Sequence, residues 1–315
     1  MKNWRKKAGV IICGMLAAVM FGGCSSENSL PQVYEEILEI PGITEEYEFI
    51  FLADSHISLC DDRDPDVMEK AAQRYEMFRS PGGKCADETF HDAMKYVSKE
   101  KPDLLIMGGD IVDSAMWASI DFVTSELDST GVDWAYSMGN HDFEYGSEYY
   151  SQKAFEEYLP RFGGISGTQN GYQIKDMGEF VILLVDDESN RISKEAADAL
   201  EFLAEQKKPV ILVTHVPIEP NLDQTLWQES INVWGASQDG NSRVLLGYHS
   251  CYPDENTARF LGLVFAEDSP VQLVLAGHIH FYHRDGLNER LIQVVTGAGF
   301  GNELVKVTVK PAEAN

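Results

Sequence analysis

The chain has 315 residues, enough for one large domain or two small ones, and its 44% of apolar residues are sufficient for a sizeable core. It carries 25 basic against 51 acidic residues, a formal charge of −26. A surface this acidic repels polyanions, and no cluster of Lys and Arg follows residue 8, so we expect no nucleic-acid partner.

The N-terminal 24 residues have the layout of an export signal. A basic start at residues 2–7 precedes an apolar run at 8–21, which is too short to span a bilayer comfortably. Gly22, Gly23 and Cys24 follow, and this ending resembles a bacterial lipoprotein signal, in which the cysteine becomes the lipid-bearing first residue after cleavage. Phe21 departs from the aliphatic residue that is usual three positions before that cysteine. An uncleaved anchor or an ordinary signal is the alternative.

The resemblance to a lipoprotein signal implies a division of the chain. We expect a signal peptide at 1–23, lipidated Cys24 with a tether at 24–45, and a folded domain at 46–315. Loss of the signal would leave 21 basic against 51 acidic residues, a formal charge of −30. The protein is then expected at the cell surface or facing the periplasm, and attached to the membrane through its lipid anchor only.

The cysteines that follow Cys24 are Cys60, Cys85 and Cys251, and they show no pattern of a metal site. Their number is odd, so they cannot all pair, and no two are spaced as metal ligands. We interpret them as structural or free.

Apolar, β-branched runs alternate with helical patterns along the rest of the chain. The predicted strands are Glu48–Ala53, Asp103–Met107, Val132–Ser137, Phe180–Val185, Val210–Thr214, Val271–Ala276, Arg290–Thr296 and Glu303–Val309. The predicted helices are Asp66–Phe78, Asp87–Ser98, Ile120–Leu127, Glu148–Tyr158, Ser193–Gln206 and Glu255–Phe265. Continuous apolar strands between helices are typical of a layered α/β domain with both sheet faces covered.

One stretch, Val216–Pro253, interrupts this alternation. It is long, polar and rich in turn residues, and it contains Trp227 and Trp234. Long loops in compact domains are often functional lids, so we predict a cap loop at 216–253. Its tryptophans either stack an aromatic or sugar part of a substrate or pack the loop onto the domain.

Polar residues follow five of the predicted strands at the point where each strand ends. They are Asp54 and His56, Asp110 and Asp113, Asn140 and His141, His215, and His278 and His280. One such residue alone is usually a turn or helix cap, but open α/β sheets bind ligands at the carboxyl ends of their strands, and five polar ends together predict one site. Asp186 and Asp187 also end a strand, and we interpret them as turn or supporting residues.

Side chains two apart on a strand point the same way, so His278 and His280 are expected in one pocket and His283 outside it. Imidazole, carboxylate and amide ligands without thiolates suit first-row divalent ions such as Mn, Fe, Zn or Co. The candidate ligands are too many for one ion and suit two that share a carboxylate. Two ions roughly 3.5–4 Å apart can clamp an attacking hydroxide and a phosphoryl oxygen.

The order of these motifs resembles the calcineurin-like metallophosphoesterases. The motifs are Asp54-Ser55-His56, Gly109-Asp110-Ile111-Val112-Asp113, Gly139-Asn140-His141-Asp142, His215 and Gly277-His278-Ile279-His280. The resemblance covers roughly residues 48–300 and implies a layered α/β/β/α sandwich of two mixed β-sheets flanked by helices. It also implies two divalent metal ions (Mn, Fe or Zn) as cofactors and a small phosphorylated substrate.

The resemblance further implies a role for each residue. The ligands would be Asp54, His56 and His280 for one metal, Asn140, His215 and His278 for the other, and Asp110 as the bridge between both. His141 would protonate the leaving-group oxygen and Asp113 would orient His141, while a metal-bridging hydroxide attacks the phosphorus in line.

Departures from two branches of the family narrow the substrate class. Purple acid phosphatases have a Tyr where Asp113 stands, so their tyrosinate–iron colour is not expected here. Phosphoprotein phosphatases have arginines where Met138 and Ser114 stand. Without those arginines, a phosphodiester is favoured over a phosphomonoester.

Two other functions stay open. One is a non-catalytic lipoprotein on the same fold that binds metal or ligand, because a fold does not determine a function. The other is a nuclease, against which the acidic composition argues. The complete set of ligand residues, together with His141 and Asp113, favours the enzyme.

Overall fold

The computed structural model describes residues 30–145, 152–168, 170–187, 189, 191–221, 224–235, 244–247 and 253–312. The predicted signal peptide, Cys24, Cys251 and parts of the predicted cap loop lie outside these ranges. Within the ranges, no helix is both long and apolar enough to cross a membrane.

The described strands form two mixed β-sheets. They are β1 (Gln32–Ile40), β2 (Tyr47–Leu52), β3 (Leu104–Gly108), β4 (Trp134–Ser137), β5 (Tyr172–Asp176), β6 (Val181–Val185), β7 (Val210–Val213), β8 (Val271–Ala276), β9 (His283–Gly286), β10 (Ile292–Val295) and β11 (Glu303–Pro311). The first sheet has the order β1-β11-β2-β3-β4 and the second β5-β6-β7-β8-β10-β9. The runs β2-β3-β4 and β6-β7-β8-β10 are parallel, and β11, β5 and β9 each join antiparallel to a neighbour.

Helices cover the outer faces of the two sheets. They are α1 (Met68–Met77), α2 (Ala86–Glu100), α3 (Trp117–Thr130), α4 (Gln152–Tyr158), α5 (Lys194–Gln206), α6 (Thr225–Trp234) and α7 (Glu255–Phe265). Apolar residues of α2 and α3 share a buried cluster with the first sheet, and those of α5 and α7 share one with the second.

Alternation along each strand produces the layers. In β2, Phe49 and Phe51 point into the core between the two sheets, whereas Ile50 and Leu52 point to the core shared with α2 and α3. Because successive side chains of a strand leave opposite faces, a strand buried on both faces is apolar throughout. The result is the predicted α/β/β/α sandwich, so the predicted fold class is confirmed.

A strand precedes the predicted domain start at residue 46. The predicted tether at 24–45 overlaps β1, which pairs in parallel with β11 from Gln32 to Ile40. β1 is an edge strand, so glutamates such as Glu35 and Glu39 stay exposed on it and give the segment the composition of a linker. Its partner lies at the other end of the chain, which no local pattern reveals. The folded domain therefore includes the residues from Gln32 onward.

Three more elements were absent from the predicted set. β5 and β9 are short antiparallel edge strands, and α6 lies inside the predicted cap loop. Short edge strands bury little and carry a weak apolar signal. Cys60 and Cys85 are free, which agrees with the structural or free interpretation of those two.

Candidate active site

The polar residues at the five strand ends come together at one edge of the sandwich. They follow β2, β3 and β4 in the first sheet and β7 and β8 in the second. These strands run parallel within their sheets, so their carboxyl ends gather where open α/β sheets place ligand sites. Most of the side chains are fully buried.

Asp54, His56 and His280 form the first cluster of possible metal ligands. The two Nε2 atoms of His56 and His280 lie 3.0 Å apart. Oδ1 of Asp54 lies 3.4 Å from His280 Nε2 and 3.9 Å from His56 Nε2. One carboxylate oxygen and two imidazole nitrogens therefore face a common point.

The second cluster consists of Asp110, His215 and His278. Nε2 of His215 lies 3.1 Å from Asp110 Oδ2 and 3.2 Å from His278 Nδ1. Nδ1 of His215 lies 2.8 Å from the Gly108 carbonyl oxygen, so Nδ1 donates to that carbonyl and Nε2 faces the cluster. Asp110 Oδ2 is also 3.9 Å from His56 Nε2, so this carboxylate stands between the two clusters.

Two of the predicted ligands present buried oxygen atoms that are suited to binding a cation. Asp54 Oδ1 and Asn140 Oδ1 are buried and have no hydrogen-bond partner. A buried acceptor without a donor costs free energy, and a metal ion removes that cost. The donor set of carboxylate, imidazole and amide oxygen is one that Mn, Fe and Zn accept.

The backbone of the ligand residues is strained. Asp54, His56, Asp110, His278 and His280 have φ values of 54°, 49°, 51°, 74° and 61°. Left-handed backbone costs a residue with a Cβ about 1–2 kcal/mol, and such strain concentrates at functional sites. Backbone hydrogen bonds hold it in place, among them those donated by the Asp54 amide to Gly109 and by the His56 amide to Asp110.

Gly139 lets two strand-end loops approach closely. A Cβ there would overlap the Asp110 carboxylate and would lie 2.5 Å from the Asp110 backbone nitrogen. Glycine at 139 is therefore required by contact with the residue that stands between the clusters.

We expect Gly139→Ala to displace Asp110 and to reduce the metal bound per chain, with activity falling at least tenfold. Elemental analysis of purified protein and steady-state kinetics measure both effects. Gly164→Ala is the matched control, because a Cβ at Gly164 meets nothing within 4 Å. Full metal content in Gly139→Ala would contradict the close-contact argument.

Asp113 accepts hydrogen bonds from three side chains. Its Oδ1 lies 3.2 Å from Nδ1 of His56 and 3.2 Å from Nδ1 of His141. Arg74 of α1 binds it with two bonds, Nε to Oδ2 at 2.6 Å and Nη2 to Oδ1 at 2.5 Å. His56, Asp113 and His141 also bring ligand atoms together, but Arg74 already neutralises the carboxylate. Burial opposes ionisation of Asp113, yet these partners lower its pKa below the usual value.

His141 lies at the mouth of this cluster, with 23% of its side chain exposed. Burial alone would lower its pKa, but the Asp110 charge, the hydrogen bond to Asp113 and the Glu144 charge together raise that pKa to about 9. Because Nδ1 faces Asp113, Nε2 is the nitrogen that can donate to a bound molecule. The carboxylates around His141 therefore favour its protonated form.

Carboxylates around the site hold its backbone. Asp142 accepts from the amides of Asp110 at 2.9 Å, Gly139 at 2.7 Å and Val112 at 3.1 Å, which ties the loops after β3 and β4 together. Its role was not predicted, although it belongs to the Gly-Asn-His-Asp motif. Burial, with repulsion from Asp110, raises its pKa to about 7.

Asp187 accepts from the amides of His215 and Val216, and Asp186 accepts from that of Met138. The interpretation of both as supporting residues is confirmed. Arg74 was missed altogether, because nothing in a helix 39 residues before Asp113 signals that contact.

The two tryptophans of the predicted cap loop differ. Trp227 is 4% exposed and packs in an apolar cluster, whereas Trp234 is 47% exposed. Trp234 Nε1 donates to the Ile279 carbonyl at 2.9 Å, and its ring centroid lies 5.3 Å from that of His280. His283 contacts Glu229 of α6 at 2.8 Å and belongs to neither ligand cluster.

Buried histidines and carboxylates at the strand ends of two packed sheets form possible metal sites in an α/β/β/α sandwich. Residues 47–282 match the family model described as Calcineurin-like phosphoesterase. That match spans most of the chain, and the chain belongs to the calcineurin-like phosphoesterase family.

Solved structures share the fold. A dimetal phosphatase from Danio rerio is 13% identical with a TM-score of 0.50, over 82% of this chain and 91% of that one. A purple acid phosphatase from yellow lupin is 15% identical with a TM-score of 0.51, over 88% of this chain and 48% of that one. Identities this low show the fold alone. A search of curated proteins finds no match.

Proposed function

We propose that this protein is a phosphoric ester hydrolase that depends on two divalent metal ions. The observation that carries the proposal is the pair of adjoining ligand clusters with Asp110 between them. The family match supports hydrolysis of a phosphorylated substrate. The acidic chain supports a small substrate rather than a nucleic acid.

We assign the ligands of the two ions as follows: Asp54, His56 and His280 for one, Asn140, His215 and His278 for the other, and Asp110 shared. When bound, such ions supply Lewis-acid charge to phosphoryl oxygens and lower the pKa of a water nucleophile. The oxygen and nitrogen donors fit Mn, Fe or Zn.

His141 is the proposed general acid. Neighbouring carboxylates favour its protonated form, and it is partly exposed and outside both ligand clusters. A positioned imidazolium can donate a proton to the leaving-group oxygen as the phosphoester bond breaks. Asp113 orients the ring through Nδ1, and Arg74 fixes Asp113.

We expect Glu144→Gln to move the alkaline limb of the activity–pH profile to lower pH. Glu144 Oε2 lies 3.6 Å from His141 Nδ1, and its charge favours the protonated imidazole. Without that charge the pKa of His141 falls, so the proton needed for catalysis is lost at a lower pH. The profile of kcat/KM for an alkyl ester measures the limb, and an unchanged or raised limb would remove His141 from the acid role.

A phosphodiester is the proposed substrate type. Arg74 is bound to Asp113 through Nε and Nη2, while its Nη1 contacts the sulfur of Met77, so this guanidinium is engaged. It does not replace the arginines that are absent at Met138 and Ser114. A diester carries one negative charge and needs less neutralisation than a monoester dianion.

The test compares Mn²⁺-loaded protein on nitrophenyl phosphate and on bis-nitrophenyl phosphate. We expect turnover of both, a higher kcat/KM for the diester, and loss of both activities after chelation and dialysis. Preference for the monoester would overturn the diester assignment. Turnover of neither ester, or turnover that survives metal removal, would overturn the metal-dependent hydrolase.

We also propose that the protein is an exported lipoprotein with its lipid on Cys24. β1 begins at Gln32, which leaves only residues 25–31 between that cysteine and the folded domain. In a bacterial host, labelled fatty acid should enter the wild type and the Cys60→Ala control but not Cys24→Ala. Label in Cys24→Ala would contradict the assignment.

A further inference from the structure

The indole of Trp234 is held in place beside a proposed metal ligand. Its N–H is bound to the Ile279 carbonyl, between His278 and His280 in the chain, so the exposed half of the ring is apolar and has no unpaired donor. The ring centroid lies 5.3 Å from that of His280, and the two planes meet at 84°.

Phe300 makes an edge-to-face contact with the same histidine. Its ring centroid lies 5.3 Å from that of His280 and 5.9 Å from that of His56. Phe300 is half-buried. Its ring centroid lies 5.1 Å from that of Phe78, and the Phe78 ring in turn stacks on His56. Trp234 and Phe300, which we call the aromatic rim, thus contact one residue of the first ligand cluster.

A fixed, exposed aromatic ring binds a flat partner at low entropic cost, because little freedom remains to be lost. Stacking on an aromatic side chain tolerates any base, since every base has a π-face. Trp227 of the same helix serves packing, and it is only 4% exposed. Trp234 is 47% exposed, which is more than packing of the helix requires.

We propose that the aromatic rim binds a planar aromatic ring carried by the alcohol part of the substrate, such as a nucleobase. This rests on the proposed function, which places the phosphorus at the ligand clusters next to His280. A neutral ring also suits the strongly acidic chain better than a second anionic group. The substrate class is therefore a phosphoester of a nucleoside or a similar aromatic alcohol.

The test uses two substrates that differ only in the base. They are the methyl phosphodiester of adenosine at its 5′ position and the same diester of 1-deoxyribose; the matching monoesters are run alongside. The reacting phosphate and the leaving alcohols are alike, so a difference in KM reports the base. Calorimetric binding to Mn²⁺-loaded protein of the phosphonate analogue of adenosine 5′-phosphate, in which a CH2 group replaces the 5′ ester oxygen, is a readout independent of turnover.

Three variants separate stacking from anchoring. Trp234→Leu removes the ring, Trp234→Phe keeps a ring but removes the N–H, and Val233→Ala alters an exposed neighbour on α6. We expect Trp234→Leu to raise KM for the adenosine ester about tenfold, or about 1.4 kcal/mol, with kcat and the 1-deoxyribose ester unchanged. Trp234→Phe should keep most of the preference, and Val233→Ala all of it.

Equal losses on both substrates in Trp234→Leu and Trp234→Phe would mean that the indole only anchors Ile279, which overturns the proposal. So would a wild type that shows no preference for the base. If the metal-loaded wild type turns over no ester, the proposed hydrolase activity is overturned. Calorimetric binding then tests the aromatic rim by itself. Binding of the phosphonate analogue that Trp234→Leu does not weaken would overturn the proposal there too.

Discussion

Asp110→Asn is expected to lower kcat/KM by about 10²–10³-fold or more, the scale on which one preorganised charged group acts. The metal bound should fall from two ions per chain to one or fewer. The reason is geometric: Asp110 Oδ2 lies 3.1 Å from His215 Nε2 and 3.9 Å from His56 Nε2, so this one carboxylate serves both clusters. Elemental analysis and steady-state kinetics on one preparation measure both quantities.

The same variant has a second signature in the effect of metal on stability. An amide at 110 can still accept from the His141 amide, so the loop keeps that hydrogen bond. An ion that binds the folded state less tightly stabilises it less, so we expect the rise in Tm on adding Mn²⁺ to shrink.

Asp128→Asn, on the exposed face of α3, is the matched control and should leave every value unchanged. Two tightly bound ions in Asp110→Asn would show that the shared-ligand assignment is wrong.

His141→Ala is expected to lower kcat for alkyl phosphoesters by about 10²–10⁴-fold, the usual contribution of a positioned general acid. Its metal content should match the wild type, since His141 belongs to neither ligand cluster. Nitrophenyl esters should lose much less, because nitrophenolate leaves without needing a proton. This contrast between leaving groups identifies the proton donor more directly than loss of activity alone.

His91→Ala, which removes an exposed histidine paired with Glu126 on the outer helices, is the control. If His141→Ala lost alkyl and nitrophenyl esters equally, His141 would act in binding rather than as an acid. If it lost metal, the ligand assignment would need His141 as well.

Much of this fold is predictable from local sequence patterns. The central strands β2, β3, β6, β7 and β8 are apolar runs buried on both faces. Five of the helices form at amphipathic or capped segments, and their bounds lie within a few residues of the predicted ones. The proposed ligands were recognisable because each follows a strand, and the carboxyl ends of parallel strands meet whatever the loops do. The family match supports the resemblance that these motifs carry.

Contacts between distant segments were not predictable in that way. β1 carries glutamates suited to an exposed edge, and only the pairing with β11 makes it a strand. The bond between Arg74 and Asp113 joins a surface helix to a strand-end loop, and the three amides bound by Asp142 belong to loops that meet only in the packed sandwich.

The different environments of the two tryptophans also depend on contacts between distant segments. Trp227 and Trp234 lie on one short helix, and composition alone treats them alike. Once α6 packs on the domain, one ring enters the core and the other stays exposed beside His280. The proposed ligand motifs and the layered class could be recognised from the sequence, because both depend on residues near one another in the chain. The contacts of Arg74 and Asp142 with the strand-end residues, and the exposure of Trp234, depend instead on how the two sheets and their helices pack, so only the tertiary structure shows them.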